Sequence, residues 1–145
     1  MARIETYNLA ASPIAGADKL IGTDSANNNE TKNFSVQEVS DFVKPYKVYV
    51  ALLSQSGTNP PTAIVLENTL GAITFAYDGT GYYYINSSSL FTSNKTGILF
   101  GNTNAGYVKI YSNTTSQLVI EVFDNSGTYT DYGLLNTIIE IRVYQ

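Results

Sequence analysis

From Tyr46 onward the chain leaves no interval long enough for a helix. Eight strand-length runs follow one another: YKVYVALLSQ, TAIVLENTL, GAITFAYD, YYYINSSSLF, KTGILFG, YVKIYSN, QLVIEVFD and LNTIIEIRVYQ. Turn-formers separate them, namely the loop SGTNPP, Asp78-Gly79, Gly101-Asn102, Asn104 to Gly106, Asn113, and Asn125 to Gly127. Several runs alternate. Val108 and Ile110 oppose Tyr107, Lys109 and Tyr111; Leu118, Ile120 and Val122 oppose Val119, Glu121 and Phe123. Ile139, Ile141 and Val143 oppose Ile138, Glu140, Arg142 and Tyr144. A period of two sends one set to a buried face and the other outward. Short, closely spaced strands of this kind predict a mainly β protein, with a jelly-roll-like antiparallel β-sandwich over residues 46–145. In the last run Ile138 and Tyr144 oppose the core set, which points to a second surface that an oligomer would bury.

Residues 1–45 have a different texture. Short apolar patches (Ile4, Leu9, Ile14, Leu20, Ile21) sit among Ala, Gly, Ser and Asn, too sparse to bury a core alone. The one helix pattern is FSVQEVSDFVKP. Ser35 and Glu38 have capping-box spacing, Phe34 stands where a hydrophobic staple would, and Pro45 biases Lys44 out of the helix. Val36, Val39 and Val43 recur on one face with Phe42 beside them. Two turns of helix are unstable alone in water, so this face must dock, either on the chain's own sheet edge or on a partner. The division expected is an extended N-terminal anchor segment with one short helix, 1–45, followed by the sandwich.

Composition narrows function by subtraction. The 145 residues have room for one domain with a small appended segment, and 12 Tyr and 11 Gly accompany a charged fraction of only 14%. With no Cys and no His, disulfides, thiol nucleophiles and His-dependent triads are excluded. A net charge of −4 without a Lys/Arg cluster argues against nucleic acid as a partner. No apolar run approaches the ~20 residues that span a bilayer, so no membrane partner is expected. MARIETYNLA lacks the pattern of a secretion signal. Asp78, Asp124 and Asp131 fall at turns, while Glu67, Glu121 and Glu140 fall in strands. No pair is nominated for glycoside hydrolysis, and no calcium loop, P-loop or dinucleotide fingerprint occurs. The expectation is a protein that is not an enzyme and needs no metal or cofactor. Five sequons, at Asn29, Asn33, Asn86, Asn94 and Asn113, reflect general Asn, Ser and Thr richness.

DGTGYYYIN, Asp78 to Asn86, supports two readings. Exposed rings with nearby Asp and Asn are what a glycan site uses, which makes Asp78, Tyr82, Tyr83 and Tyr84 candidates for binding a host-surface glycan. The same residues also suit a plain hairpin with an Asp-Gly-Thr-Gly turn, its tyrosines placed alternately on the two faces.

The stretch ADKLIGTDSANNNETKNFSVQEVSDFV resembles the N-terminal segment of virion appendage proteins, of head-fibre and tail-fibre type, from tailed bacteriophages, including the crAss-like group. Such proteins carry (S/A)DKLIGTD, an Asn-rich stretch, TKNF(S/T)V and a short helix; here these are Ala17–Asp24, Asn27–Asn29 and Thr31–Val36. Residues Tyr46 to Gly71 also resemble a β module frequent in structural proteins of the same phages. Together the two cover about the first half of the chain. The resemblance implies a virion structural protein, a small head-fibre or appendage subunit assembled in the host bacterial cytoplasm. Its partners would be other virion proteins, capsid or fibre/tail components, and its own copies in a homotrimer. The anchor residues implied are Asp18, Lys19, Leu20, Ile21, Gly22, Thr23, Asp24, Phe34, Val36, Val39, Phe42 and Val43.

Overall fold

A computed structural model describes residues 15–101 and 106–144. Ile4, Leu9, Ile14, Asn102 and Asn104 lie outside the described residues. The chain divides into two units at the junction of Lys44 and Pro45.

In the first unit, β1 (Lys19–Asp24) pairs antiparallel with β2 (Glu30–Ser35), and α1 (Val36–Val43) follows directly. The hairpin is a feature the sequence pattern did not announce. Its turn is built by the asparagine run: Asn28 and Asn29 adopt left-handed φ values of 52° and 59°, which asparagine tolerates better than most residues. Asp24 closes the turn by accepting from the Ala26 amide at 3.0 Å and from Asn27 Nδ2 at 3.1 Å, while Lys32 pairs with its carboxylate. Those bonds, led by Lys32, hold the Asp24 carboxyl below its usual range. The helix starts as expected. Ser35 Oγ accepts from the Glu38 amide at 3.1 Å, and the Glu38 carboxylate reaches back to the Ser35 amide at 2.6 Å. Two further amides of the first turn, those of Val36 and Gln37, donate to the carbonyls of Asp18 and Gly16, so the segment before β1 serves as part of the cap. Lys44 is extended, φ −77° and ψ 117°, and the helix stops there.

The second unit is an antiparallel β-sandwich. Its strands are β3 (Tyr46–Ser54), β4 (Thr62–Asn68), β5 (Ile73–Gly79), β6 (Tyr82–Ser87), β7 (Thr96–Gly101), β8 (Tyr107–Thr114), β9 (Gln117–Phe123) and β10 (Thr137–Tyr144). Each of the eight strand-length runs corresponds to one of them, β5 and β8 each continuing one residue past the run. The sheets are ordered β4-β3-β10-β7 and β5-β6-β9-β8. Hairpins β3–β4, β5–β6 and β8–β9 stay within a sheet, whereas β4→β5, β6→β7, β7→β8 and β9→β10 pass from one sheet to the other. The first and last strands of the unit, β3 and β10, are neighbours in the middle of their sheet.

The core is made by the predicted alternation. Tyr49, Ala51 and Leu53 of β3 face inward with Ile139, Ile141 and Val143 of β10. They meet Tyr83 and Ile85 of β6 and Leu118, Ile120 and Val122 of β9, and Leu70, Phe91 and Leu134 from the connections fill the ends. Each buried Val, Leu, Ile or Phe side chain among them contributes about 1.5–3 kcal/mol of transfer free energy. Buried Gln55 ties two loops together, donating to the carbonyls of Gly57 and Asn59 and accepting from the Tyr132 amide at 2.9 Å.

Candidate functional site

Two surfaces stand out, one in each unit. In the first unit α1 has no buried residue. Phe42 is 89% exposed and Val43 70%. Phe34, at the position before the cap, and Val39, four residues beyond it, line the same groove, the arrangement of a hydrophobic staple. Thr23, Glu38 and Phe42 complete that groove, whose volume is about 490 Å³.

The other anchor candidates are distributed around it. Gly22 lies under the Phe34 ring, where a Cβ would come within 3.0 Å of a ring carbon. Asp18 caps locally, its carboxylate accepting from the Ala15 amide at 2.8 Å, and Asp24 belongs to the hairpin turn. Lys19 is exposed opposite Ser35. Leu20 and Ile21 are 49% and 79% exposed, and Val36 is half-buried. The structure thus gathers Thr23, Phe34, Val39 and Phe42 into one apolar groove and leaves Leu20, Ile21 and Val43 as further uncovered apolar surface.

The second surface is the outer face of the sheet β5-β6-β9-β8. Tyrosines at alternate positions of β6 separate by face. Tyr83 is fully buried in the core, 5.8 Å from Tyr77 between ring centres, and donates to Asp131 Oδ1 at 2.8 Å. Burial above all, with the Asp131 bond and charge added, raises its hydroxyl far above the ordinary tyrosine range. Asp131 also accepts the Gly81 amide at 2.9 Å, so one carboxylate anchors both the β5–β6 turn and the core tyrosine. Tyr82 and Tyr84 point outward and meet edge to face, 5.7 Å apart. Tyr84 donates to Asp78 Oδ2 at 3.0 Å, and that bond is the chief reason its hydroxyl is raised. Of the glycan candidates, Asp78, Tyr82 and Tyr84 share the outward face, and Tyr83 is part of the core.

Strand pairing brings more groups to this face. Glu121 of β9 lies opposite Tyr82 on one side and Lys109 on the other. Its carboxylate accepts from Tyr111 at 3.1 Å and lies 3.9 Å from Lys109 Nζ; Tyr111 and Tyr82 hydroxyls are 3.0 Å apart. The Tyr82 bond first, then burial and the Glu121 bond, push the Tyr111 hydroxyl well up. Burial and the Glu121 charge also raise the Tyr129 hydroxyl. Phe123 is stacked between Tyr107 and Tyr129 at 4.5 Å on each side, with Lys109 Nζ 4.9 Å above its ring. Beside these groups, Gln117 bridges Asn86 and Asn113 at 3.0 and 2.7 Å.

The chain matches no family model, no curated protein and no solved structure.

Its chemistry must therefore be read from these two surfaces. Among the described residues no group of three or more carboxylates gathers as a metal site would, and no helix is long and apolar enough to cross a membrane. Of the turn aspartates, Asp124 and Asp131 serve the backbone. Asp124 accepts from the amides of Ser126 at 2.8 Å and Thr128 at 2.9 Å, and its carboxyl is held low by bonds from the Ser126 side chain and these amides. The sequence pattern did not single out Glu121, Tyr107, Lys109, Tyr111, Phe123 or Tyr129 as one group. The alternation in YVKIY and LVIEVF does place the first five on one face each, but which strands adjoin is a tertiary fact.

Proposed function

We propose that the chain is a non-enzymatic structural protein of a tailed-phage virion, a small head-fibre or appendage subunit held to the particle by its N-terminal unit. The observation that carries this is the unburied helix: α1 opens an apolar groove, lined by Phe34, Val39 and Phe42, that none of the described residues of its own unit covers. A two-turn helix with such a face gains stability by seating on a partner. The resemblance of Ala17–Asp24, Asn27–Asn29 and Thr31–Val36 to phage appendage segments supplies the class of partner, another virion protein. β1 is already paired with β2 on one side, so any backbone pairing with a partner uses an edge of the hairpin that is unpaired among the described residues.

The outer face of the sheet β4-β3-β10-β7 supports self-association in the same assembly. Ile64, Leu66, Leu99 and Ile138 remain 61%, 58%, 54% and 41% exposed in the single chain. These exposed aliphatic side chains, with the Glu140–Arg142 ion pair on the same face, suit a protein contact. The homotrimer implied by the phage resemblance would bury it.

The test is to place Phe42→Asp with Val43→Asp in the producing phage and to quantify the chain in purified particles by mass spectrometry. Both side chains are exposed, and circular dichroism of the purified variant checks that it folds. The expected result is loss of the chain from particles, while recovery at the wild-type copy number overturns the proposal.

A further inference from the structure

We propose that the outer face of the sheet β5-β6-β9-β8 is a binding platform for a neutral oligosaccharide, formed by the exposed rings of Tyr107, Tyr111 and Tyr129 over the buried carboxylate of Glu121. The inference stands apart from the virion reading and rests on this face alone.

The core does not need these rings. Tyr83, Ile85, Leu118, Ile120 and Val122 already fill the inner side of the same strands. Yet the outer side carries Tyr82, Tyr84, Tyr107, Tyr111, Phe123 and, from the following loop, Tyr129. Tyr107, Tyr111 and Tyr129 keep 43%, 41% and 44% of their surface in solvent. Phe123 is spent on cohesion, since it is 5% exposed between two rings. Its two neighbours, Tyr107 and Tyr129, are the exposed members of that stack.

These rings are also set rigidly. Tyr82, Tyr111 and Glu121 form a continuous hydrogen-bonded chain across three adjacent strands, and Lys109 adds its ammonium beside the carboxylate. Preset rings and preset polar atoms spare a ligand the cost of ordering them. The groups match one chemistry. A pyranose offers an apolar C–H face to an aromatic ring and equatorial hydroxyls to carboxylate, phenol and amide. Here exposed Asp78 supplies an acceptor, Tyr82 and Tyr111 supply phenols, Gln117 supplies an amide beside the rings, and buried Glu121 holds Tyr111 in place from beneath.

Charge chooses within that class. The face holds two carboxylates, Asp78 and Glu121, and one cation, Lys109, which is already engaged. A polyanionic glycan meets net repulsion there and a neutral one does not. The opposite outer face, with Ile64, Leu66, Leu99 and Ile138, has the aliphatic character of a protein contact, so the two faces of the sandwich differ in the partner they suit.

The experiment is a heteronuclear NMR titration of the full chain with cellohexaose, mannohexaose and a β-1,4-linked N-acetylglucosamine hexamer, using polygalacturonate as the anionic control. At least one neutral probe should give saturable shifts, in the millimolar range or tighter, confined to amides of β5, β6, β8, β9 and the loop that carries Tyr129. Tyr107→Ala should weaken that binding about tenfold, equivalent to about 1.4 kcal/mol. Tyr111→Phe, which keeps the ring and removes only the hydroxyl, should weaken it less, and Leu66→Ser on the opposite face should leave it unchanged. Circular dichroism of each variant separates lost binding from lost folding. The proposal is overturned if no neutral probe gives a saturable shift, if polygalacturonate binds more tightly, or if folded Tyr107→Ala and Tyr111→Phe both bind as the wild type does. It is equally overturned if the shifts map to the Leu66 face.

Discussion

Tyr83→Phe isolates the one tyrosine of the YYY run that the fold commits to the core. The ring is fully buried and would pack as before; only the hydroxyl is lost, with its 2.8 Å bond to Asp131 Oδ1. That oxygen still accepts the Gly81 amide, and Tyr77 lies 3.4 Å from the other, so the carboxylate is weakened rather than abandoned. Losing a hydrogen bond to a charged acceptor costs about 1.5–3 kcal/mol. For a domain of about 100 residues each kcal/mol lowers the midpoint by about 4–8 °C. The assay is urea and thermal unfolding followed by near-ultraviolet circular dichroism, with outward-facing Tyr84→Phe as the control, which should leave the midpoint where it was. There is a pH signature as well. The folded hydroxyl is raised above the ordinary value of 10.0, by burial first and by Asp131 second. This contribution is therefore complete below pH 10 and is lost as pH climbs through the raised folded value. Tyr83→Phe should show a shallower alkaline decline than the wild type. A loss below about 0.5 kcal/mol, the range of an ordinary surface change, would refute the reasoning. So would an equal loss in Tyr84→Phe.

Two further perturbations probe the same sheet. Gly81→Ala should be among the most damaging small substitutions: φ is +65°, and a Cβ would sit 2.5 Å from the Val122 carbonyl oxygen. The backbone strain alone is worth about 1–3 kcal/mol, and a denaturant midpoint no lower than wild type would contradict the turn geometry. Leu118→Ala, at a fully buried β9 position, should cost about 2–5 kcal/mol in the same unfolding experiment while leaving the strand register intact by NMR.

The sandwich was legible because alternation is local. In IIEIRVY and LVIEVF the inward and outward sets can be counted off residue by residue, and Gly, Asn and Pro mark where one strand stops. The capping box at Ser35 and Glu38 was legible for the same reason, being three residues apart. The β1–β2 hairpin was not. Asn27 to Asn29 has the composition of a slack linker, and only the left-handed φ of Asn28 and Asn29, fastened by Asp24, turns it into a two-strand connection. Within the tyrosine run, spacing alone separates Tyr83 from Tyr82 and Tyr84. The rest of the aromatic face was hidden because it depends on sheet order. Glu121 meets Tyr82 only because β6 pairs with β9, and Tyr111 joins them only because β8 lies on the far side of β9. Tyr129 reaches Phe123 through a single antiparallel bridge after the strand has ended, a contact no periodicity encodes.

The central claim is that the unit ending at Lys44 attaches the sandwich to a virion. Its most direct test is a chain beginning at Pro45, expressed during infection in place of the full chain, with particles purified and the truncated chain quantified in particle and lysate. The account predicts a folded, soluble sandwich in the lysate and none in the particles. Truncated chain present in particles at the full-length copy number would contradict it.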